Sequence, residues 1–389
     1  MNTSIKIGIV VANSLKSGGG FSYANLIMNA ISIDKTEGFE FEVFTTVHEN
    51  LKLIKEMGLK SNYVNTSVKD WVKNVIIRRV FTIGINLNKA AKQKKIDLIY
   101  FLGPYSYWRE IENNFPFIFT IHDIGYYELS FFPEYSGKEF WRREKIYREG
   151  AIRSYKLIVD SEITKKKLIE YFGLPKEKII TKKFATKKHL IKATRKLPRA
   201  WGEKKFVIYP AQFWAHKNHI YLIEALALSL EKGLEIHIVL TGGDMGNMRH
   251  VRDMVEHRGL SEYIHFFGFV SDRELMGLYE DAIAMVMPTY LSTTNIPPLE
   301  AFTKKLPVLY PHDNITGVDE YLRSNTIPLD LNDPKSMYIG LKKIISNSTE
   351  ICQKVDAAYN QTIKLCEADH LSDLRLVWKE YAKYRKLWG

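Results

Sequence analysis

The sequence FVIYPAQFWAHKNHIYLIEALALSL, residues 206–230, decides the fold. A short apolar run at 206–210 predicts a buried strand, a polar loop follows it, and an apolar-rich segment at 220–230 predicts a helix. The alternation continues downstream, with strands predicted at 235–240, 264–269, 284–287 and 307–310 and helices predicted at 272–279 and through 299–303. Strands that alternate with helices form parallel sheets with helices on both faces. The second half of the chain is therefore predicted to be a doubly wound α/β domain.

The first half of the chain has the same alternation. Its predicted elements are a helix after Gly20 and strands at 5–11, 39–46, 98–101, 117–121 and 157–160. We therefore predict an α/β chain of two Rossmann-like, doubly wound parallel-sheet domains that face each other across a cleft. The N-terminal domain is placed at 1–195 and the C-terminal domain at 196–368, and the helix at 369–389 is a candidate to cross back to the first domain. Ligands of such sheets bind beyond the carboxyl ends of the strands.

Length and composition agree with a folded chain in a reducing compartment. The 389 residues suit two domains, and no apolar run reaches the roughly 18 residues that suggest a membrane span. The first predicted strand begins at residue 5, so no signal peptide is expected. Cys352 and Cys366 lie on a predicted helix about 21 Å apart, which is beyond disulfide reach. These features predict a cytoplasmic protein.

The net charge of +12 favours polyanionic partners or an anionic membrane surface. A basic segment at 69–95 interleaves lysines and arginines with apolar residues, which predicts an amphipathic helix. That helix either packs on the core with a solvated basic face or docks on the inner face of a membrane, as in a peripheral protein. Nucleic acid is not an expected partner, because no helix-turn-helix, RNP or zinc signature accompanies the charge.

Two motifs follow strands of the first half. Gly19 and Gly20 come after the first strand, where glycine lets backbone N–H groups approach a phosphate or simply makes a tight turn. His122 and Asp123 come after the strand at 117–121. A histidine there can donate a hydrogen bond or shuttle a proton, with Asp123 orienting it, although a single histidine can also be structural.

Two further motifs follow strands of the second half. Lys217 lies between a strand and a helix, where it can neutralise a diphosphate; the alternative is an exposed lysine beside a helix capped by Asn218. Residues 289–302 contain the second motif, in which two prolines suit a first helical turn and place Glu300 in that turn. An acidic group at that position can accept both hydroxyls of a ribose, or it can stabilise the dipole of its own helix.

These motifs resemble the family 4 retaining glycosyltransferases, whose fold is called GT-B. The resemblance rests on the loop at 212–218, a segment at 267–272 that would enclose the base, and an acidic motif that ends at Glu300. It implies that Glu300 binds the donor ribose, that Lys217 binds the diphosphate and that His122 faces the reacting sugar. The donor-binding residues that follow are Gly19, Gly20, Gln212, Lys217, Phe269, Ser292, Thr294, Asn295, Ile296, Leu299 and Glu300, and the catalytic residues are His122 and Asp123.

The chain departs from this family pattern at two positions. Ser292 replaces the first glutamate of the Glu-x(7)-Glu motif, and Gln212 replaces the arginine that usually precedes the loop lysine. We interpret the chain as a variant subgroup with a different donor pocket. A catalytically inactive sugar-nucleotide-binding partner protein is the alternative.

The resemblance implies a retaining hexosyltransferase-type enzyme. It would move a sugar from a UDP-, GDP- or dTDP-linked donor to a saccharide or polyprenyl-linked acceptor, in the assembly of O-antigen, capsule or another bacterial surface polysaccharide. No metal or other cofactor is expected, because the sequence has no Asp-x-Asp motif and no His/Cys cluster with metal spacing.

Overall fold

The structure is a computed structural model of the chain that describes residues 4–14, 19–64, 86–111, 115–183, 185–186, 204–291, 296–313 and 315–387, with only the backbone given at 19–22. The described chain divides into two compact units. The first comprises Met1–Ile124, Trp141–Phe184 and Asp369–Gly389, and the second comprises Gly125–Phe140 and Ala185–Ala368. Each unit contains one parallel sheet.

The strands and helices follow the predicted alternation. In chain order the strands are β1 Ile5–Val11, β2 Phe39–Thr45, β3 Ser61–Tyr63, β4 Leu98–Phe101, β5 Phe117–Ile121, β6 Lys156–Val159, β7 Ile179–Thr181, β8 Phe206–Pro210, β9 His237–Thr241, β10 Ile264–Gly268, β11 Ala284–Val286, β12 Val308–Pro311 and β13 Ile327–Leu329. The helices are α1 Gly19–Ile33, α2 His48–Glu56, α3 Asn86–Gln93, α4 Gly125–Glu128, α5 Gly137–Arg153, α6 Glu162–Phe172, α7 His219–Glu231, α8 Met248–His257, α9 Asp272–Asp281, α10 Ile296–Thr303, α11 Glu320–Asn325, α12 Lys335–Ile345, α13 Thr349–Glu367 and α14 Ser372–Arg385.

The sheet of the first unit has seven strands in the order β3-β2-β1-β4-β5-β6-β7. The central strands β4 and β5 are buried along their whole length, because helices cover both faces of a doubly wound sheet. Helix α14, near the end of the chain, belongs to this unit. Its Trp378 is fully buried against Phe39 and Phe41, and its Arg375 forms an ion pair with Asp34 at 2.9 Å.

The sheet of the second unit has six strands in the order β10-β9-β8-β11-β12-β13. All of its strand pairs are parallel. The predicted fold class of doubly wound parallel-sheet domains is therefore confirmed in both units. Cys352 and Cys366 lie on one helix, α13, and both are free thiols.

One segment lies in a different unit from the one that its position in the sequence suggests. A division at residue 195 assigns Gly125–Phe140 to the N-terminal domain, whereas the structure packs this segment into the second unit. The physical reason is a buried contact between residues far apart in the chain, which joins Glu134 to His216. No periodicity or composition within the segment indicates such a contact.

Candidate active site

The second unit has a site at the point where its strand order reverses. The order runs outward in one direction from β8 through β9 to β10, and in the other from β11 to β13. A crevice opens beyond the carboxyl ends of the strands at such a switch point. Residues 211–218, which follow β8, and residues 287–291, which follow β11, lie at that place.

The loop that carries Lys217 has a fixed backbone. A short 3-10 turn, Ala215–Lys217, ends at Asn218, whose φ of 54° is left-handed. The hydroxyl of Tyr209, on β8, donates to the carbonyl oxygen of Lys217 at 2.9 Å. Asn218 precedes α7 without capping it through its side chain, and Lys217 is half-buried rather than fully exposed. The capping alternative for this motif is therefore wrong.

The same loop is joined to the loop that follows β9. The N–H of Ala211 donates to the Thr241 oxygen at 3.0 Å, and the N–H of Phe213 donates to the Gly243 oxygen at 3.0 Å. Gly242 has a φ of 133°, and a Cβ built on it would lie 2.3 Å from the oxygen of Ala211. Only glycine fits there. Gly242 was not among the predicted site residues, although a glycine pair, Gly242-Gly243, directly follows a strand.

Gln212 is held within the loop, because Trp214 Nε1 donates to its Oε1 at 3.2 Å. Phe269 lies after β10 with 71% of its surface exposed. Phe269 directly follows Gly268, the last residue of β10, where a φ of 66° turns the chain. An exposed aromatic ring at a strand end is available to a ligand rather than to the core.

Glu300 does not lie in the first turn of its helix, so that prediction is wrong. Helix α10 begins at Ile296, because both Pro297 and Pro298 fit within the first turn, and Glu300 therefore falls in the second turn. The hydroxyl of Tyr279 donates to Glu300 Oε2 at 3.0 Å. Burial, and then the charge of Glu300, raise the pKa of Tyr279, so this hydroxyl stays protonated and orients the carboxylate.

A backbone hydrogen bond brings the two loops of the second unit together. The N–H of Tyr290, in the segment that leads to α10, donates to the oxygen of His216 at 2.9 Å. Thr316 Oγ1 donates to the oxygen of Tyr290 at 3.0 Å and holds the other side of that segment. Ile296 and Leu299 are buried and support α10. The predicted site residues Ser292, Thr294 and Asn295 lie outside the described residues.

A carboxylate that the sequence analysis did not identify lies under the Lys217 loop. Glu134 Oε1 accepts from the backbone N of His216 at 2.9 Å and lies 2.6 Å from its Nδ1. Both side chains are almost completely buried. The two residues are 82 positions apart, so nothing in the local sequence indicated the pair.

In the first unit, His122 lies directly beyond β5 and is half-buried. Burial lowers its pKa to about 4, while the charge of Asp123 and a hydrogen bond with the backbone of Leu102 oppose that change. The imidazole is therefore neutral near pH 7. The ring of Tyr23 meets the ring of His122 edge-on, with 5.2 Å between centroids.

Tyr23, whose ring contacts this histidine, has a buried hydroxyl group. Tyr23 and Tyr100 share a hydrogen bond between their hydroxyl oxygens at 2.5 Å, and burial raises the pKa of both. Gly19 and Gly20 begin α1, the helix that carries Tyr23. His122 thus lies between the ring of Tyr23 and the charge of Asp123.

Two negative findings concern the described residues alone. Within these ranges, no three His, Cys, Asp or Glu side chains are grouped so that they could hold a metal ion. None of the helices described is both long and apolar enough to cross a bilayer. Most of the predicted basic segment falls at 65–85, outside the described residues.

Two doubly wound parallel sheets, one in each unit, define the class: the chain has the GT-B fold of glycosyltransferases. Residues 191–362 match the family Glycosyl transferases group 1, and residues 35–181 match Glycosyltransferase Family 4. Together the two ranges cover more than half of the chain. The chain belongs to the GT-B glycosyltransferases, with a family 4 region followed by a group 1 region.

Individual relatives agree with this membership. An Escherichia coli protein named O-antigen chain mannosyltransferase B is 26% identical over 224 residues, which are 55% of this chain and 57% of that protein. The chain spans about half the length of the curated relatives it matches.

Solved structures show the fold over nearly the whole chain. Sucrose-phosphate synthase from Thermosynechococcus elongatus has a TM-score of 0.74 at 14% identity, over 97% of this chain and 100% of that one. The Anabaena protein HepE, solved with UDP and glucose, has a TM-score of 0.71 at 12% identity over the same shares.

Proposed function

We propose that this chain transfers a sugar from a nucleotide-diphosphate donor to a saccharide or lipid-linked saccharide acceptor, with retention of configuration, in the assembly of a bacterial surface polysaccharide. The observation that carries the proposal is the hydrogen bond between Tyr290 and His216. It joins the loop of Lys217 to the segment that leads to Glu300. Lys217 lies on the first of these connected segments, and Glu300 lies on α10, the helix that follows the second.

The chemistry of these two groups suits a nucleoside diphosphate. The ammonium group of Lys217 neutralises phosphate charge, and charge-assisted hydrogen bonds of this kind are roughly twice as strong as neutral ones. Glu300, oriented by Tyr279, accepts hydrogen bonds from the two ribose hydroxyls, as acidic residues do in other doubly wound folds. Phe269 supplies an exposed aromatic surface for the base.

In the proposed reaction the bond between the anomeric carbon and the diphosphate oxygen breaks, and the electron pair leaves with the diphosphate. Positive charge develops on the sugar ring while an acceptor hydroxyl attacks the anomeric carbon on the face from which the diphosphate departs, which retains the configuration, and the proton of that hydroxyl passes to the departing diphosphate oxygen. Lys217 and N–H groups of its loop stabilise the leaving charge. We assign His122 to the transfer step, since a neutral imidazole can form a hydrogen bond with the reacting sugar.

The relatives support the choice of substrates. The name of the Escherichia coli relative refers to a mannosyltransferase acting on O-antigen chains, and HepE was solved with UDP and glucose. From these relatives we propose only the general classes of substrate for this chain: a nucleotide sugar as donor and a surface polysaccharide or its lipid-linked precursor as acceptor.

A nucleotide-sugar screen tests the function. A ligand present at a hundred times its dissociation constant stabilises a protein by about 2.7 kcal/mol, so UDP-, GDP- and dTDP-sugars are compared by thermal unfolding. We expect one nucleotide class to raise the melting temperature of the parent and to have a much smaller effect on Lys217→Ala. The best donor is then incubated with saccharide and polyprenyl-linked acceptors. Absence of a shift with every nucleotide sugar contradicts the proposal, and a shift without any transfer favours the inactive sugar-nucleotide-binding partner.

We also propose that transfer needs no metal ion, because Lys217 and backbone donors can carry the leaving charge. Activity is expected to survive an excess of EDTA. Complete loss of transfer that Mg²⁺ restores contradicts this expectation.

We propose in addition that the basic segment 69–95 binds an anionic membrane from the cytoplasmic side. Sedimentation with anionic liposomes at low salt is expected to carry the parent down and to leave a variant with Lys73, Arg78 and Arg79 all changed to Glu in the supernatant. Equal sedimentation of the two proteins, or none for the parent, contradicts the proposal.

A further inference from the structure

The segment Gly125–Phe140 supplies a buried acid to the second unit. Glu134 lies in a short 3-10 turn, Pro133–Tyr135, and 6% of its side chain is exposed. One oxygen of this carboxylate faces two nitrogens of a single residue, His216: the backbone N at 2.9 Å and the ring Nδ1 at 2.6 Å. The pair fixes both the backbone and the side chain of His216.

The protonation state of the pair follows from these distances. Burial raises the pKa of Glu134, but the hydrogen bonds from the side chain and the backbone of His216 outweigh that effect and hold the pKa below its usual value. The carboxyl group is therefore ionised, and it can only accept hydrogen bonds. Nδ1 of His216 must then carry a proton, so the contact fixes the ring in one orientation.

His216 is the residue on which the two proposed donor loops meet. It directly precedes Lys217 in the chain, and its carbonyl oxygen accepts from the N–H of Tyr290. Two aromatic rings of the segment Gly125–Phe140 pack on these residues. The ring centroid of Tyr135 lies 5.2 Å from that of His216, and the ring centroid of Phe132 lies 5.4 Å from that of Tyr290. Displacement of His216 would therefore move both loops.

We propose that Glu134 is a positioning residue of the donor site, which holds His216 so that Lys217 and the segment leading to Glu300 keep the geometry that binds the diphosphate of the donor. The inference rests on the proposed function of this site. Glu134 touches neither the base nor the phosphates in this account, and it acts through His216.

A positioning role and a purely structural role predict different results. A structural residue changes the stability of the unit and leaves ligand affinities of the folded protein unchanged. A positioning residue that acts through His216 weakens binding of the diphosphate more than binding of the nucleoside, because Lys217 directly follows His216, whereas Glu300 lies on α10 and has its own support from the hydroxyl of Tyr279. The ratio of diphosphate affinity to nucleoside affinity therefore separates the two roles.

The experiment compares the parent, Glu134→Gln, Glu134→Ala and Tyr321→Phe by calorimetry. The ligands are whichever of UDP, GDP and dTDP the parent binds most tightly, and the corresponding nucleoside. Tyr321→Phe is the matched control, since it removes a part-buried hydrogen bond between the Tyr321 hydroxyl and Thr362 in the same unit and keeps the contact of the ring with Phe302. Melting temperatures establish that each variant is folded under the assay conditions.

We expect Glu134→Ala to bind the diphosphate about thirtyfold more weakly than the parent, and Glu134→Gln, which keeps an acceptor of the same shape, about fivefold more weakly. Nucleoside affinity is expected to change less than twofold in both variants. Tyr321→Phe is expected to keep both affinities. If Glu134→Ala does not fold, the same comparison is made with Glu134→Gln alone.

The inference is overturned if folded Glu134 variants bind the diphosphate as tightly as the parent, or if their diphosphate and nucleoside affinities fall by the same factor. A parent that binds none of the three diphosphates overturns the proposed function together with the inference. If the parent binds a diphosphate and the folded Glu134 variants bind it with the same affinity, the inference alone is overturned.

Discussion

Each unit places a buried or half-buried histidine of lowered pKa near the carboxyl ends of its strands, but the two histidines differ in their charged neighbours. Burial lowers the pKa of His122 to about 4, and Asp123 opposes the change. Burial lowers the pKa of His219 to about 3, and Lys217 lowers it further. His219 stacks on Phe213 within the core of its unit, with 4.3 Å between ring centroids.

This difference indicates two kinds of site. In the second unit, backbone hydrogen bonds join the loops around Lys217, the Tyr279 hydroxyl orients the Glu300 carboxylate, and His219 packs beneath the loop on Phe213. In the first unit the polar groups near the strand ends include neutral side chains, namely His122, Tyr23 and Tyr100. The arrangement in the second unit suits the binding of a charged ligand, and the arrangement in the first unit suits hydrogen bonding to a reacting sugar.

The largest effect is expected from His122→Ala, which removes the imidazole from the transfer step. Turnover should fall roughly a hundredfold or more, since general acid–base groups contribute typically that much. Initial rates with the identified donor and acceptor measure it.

A half-buried histidine elsewhere provides the control. His312 also has a pKa lowered to about 4 by burial, but it lies in the second unit and contacts Thr326. His312→Asn should leave the turnover of the folded enzyme near that of the parent. If it costs as much as His122→Ala, the two losses reflect damaged folding and the comparison between the units fails.

Lys217→Ala and Glu300→Ala should each weaken binding of the free nucleoside diphosphate by about 1.5 to 3 kcal/mol, the usual worth of a charge-assisted hydrogen bond. Tyr279→Phe should weaken it by about 0.5 to 1.5 kcal/mol, because the variant keeps the Glu300 carboxylate and loses only its orienting donor. Calorimetry gives all three values. The exposed lysine Lys335 supplies a control variant, Lys335→Ala, for the loss of one positive charge. Unchanged affinity in Glu300→Ala removes Glu300 from the donor site.

The buried His219 predicts a pH dependence of stability. Its folded pKa of about 3 lies below the ordinary value of 6.5, so the unfolded chain binds more protons between these two values. Stability from this group is therefore fully present above pH 6.5 and is lost as the pH falls toward 3, by up to about 1.4 kcal/mol per pH unit. Unfolding transitions of the parent and of His219→Gln, measured from pH 7.5 to pH 5, should diverge in slope. Parallel slopes would mean that His219 is not kept neutral by the fold.

The sequence predicted the elements of the fold well, because strands buried in parallel sheets are short apolar runs. The predicted strands at 5–11, 98–101, 117–121 and 206–210 have the observed bounds. The place of Glu300 within its helix was predicted wrongly, since two consecutive prolines fit within the first turn and the helix begins earlier than expected. Local signals fix the type of an element better than its first residue.

The support of the proposed donor site was the part that sequence could not reveal. Glu134 contacts His216 from 82 residues away, and nothing in the local sequence separates it from Glu128 and Glu139 of the same aromatic segment. Gly242 differs from it, since its left-handed φ and close approach to Ala211 are typical of a glycine pair after a strand. Contacts that depend on tertiary packing can be identified only in the structure, whereas positions that require an unusual backbone conformation can be predicted from a glycine in the sequence.

The most direct test of the proposed division of roles measures nucleoside diphosphate affinity and turnover on the same preparations of His122→Ala and Lys217→Ala. The account predicts that His122→Ala keeps the parent's affinity and loses turnover, whereas Lys217→Ala loses affinity by about 1.5 to 3 kcal/mol. Full turnover in His122→Ala, or a loss of diphosphate affinity in it as large as that in Lys217→Ala, would contradict the account.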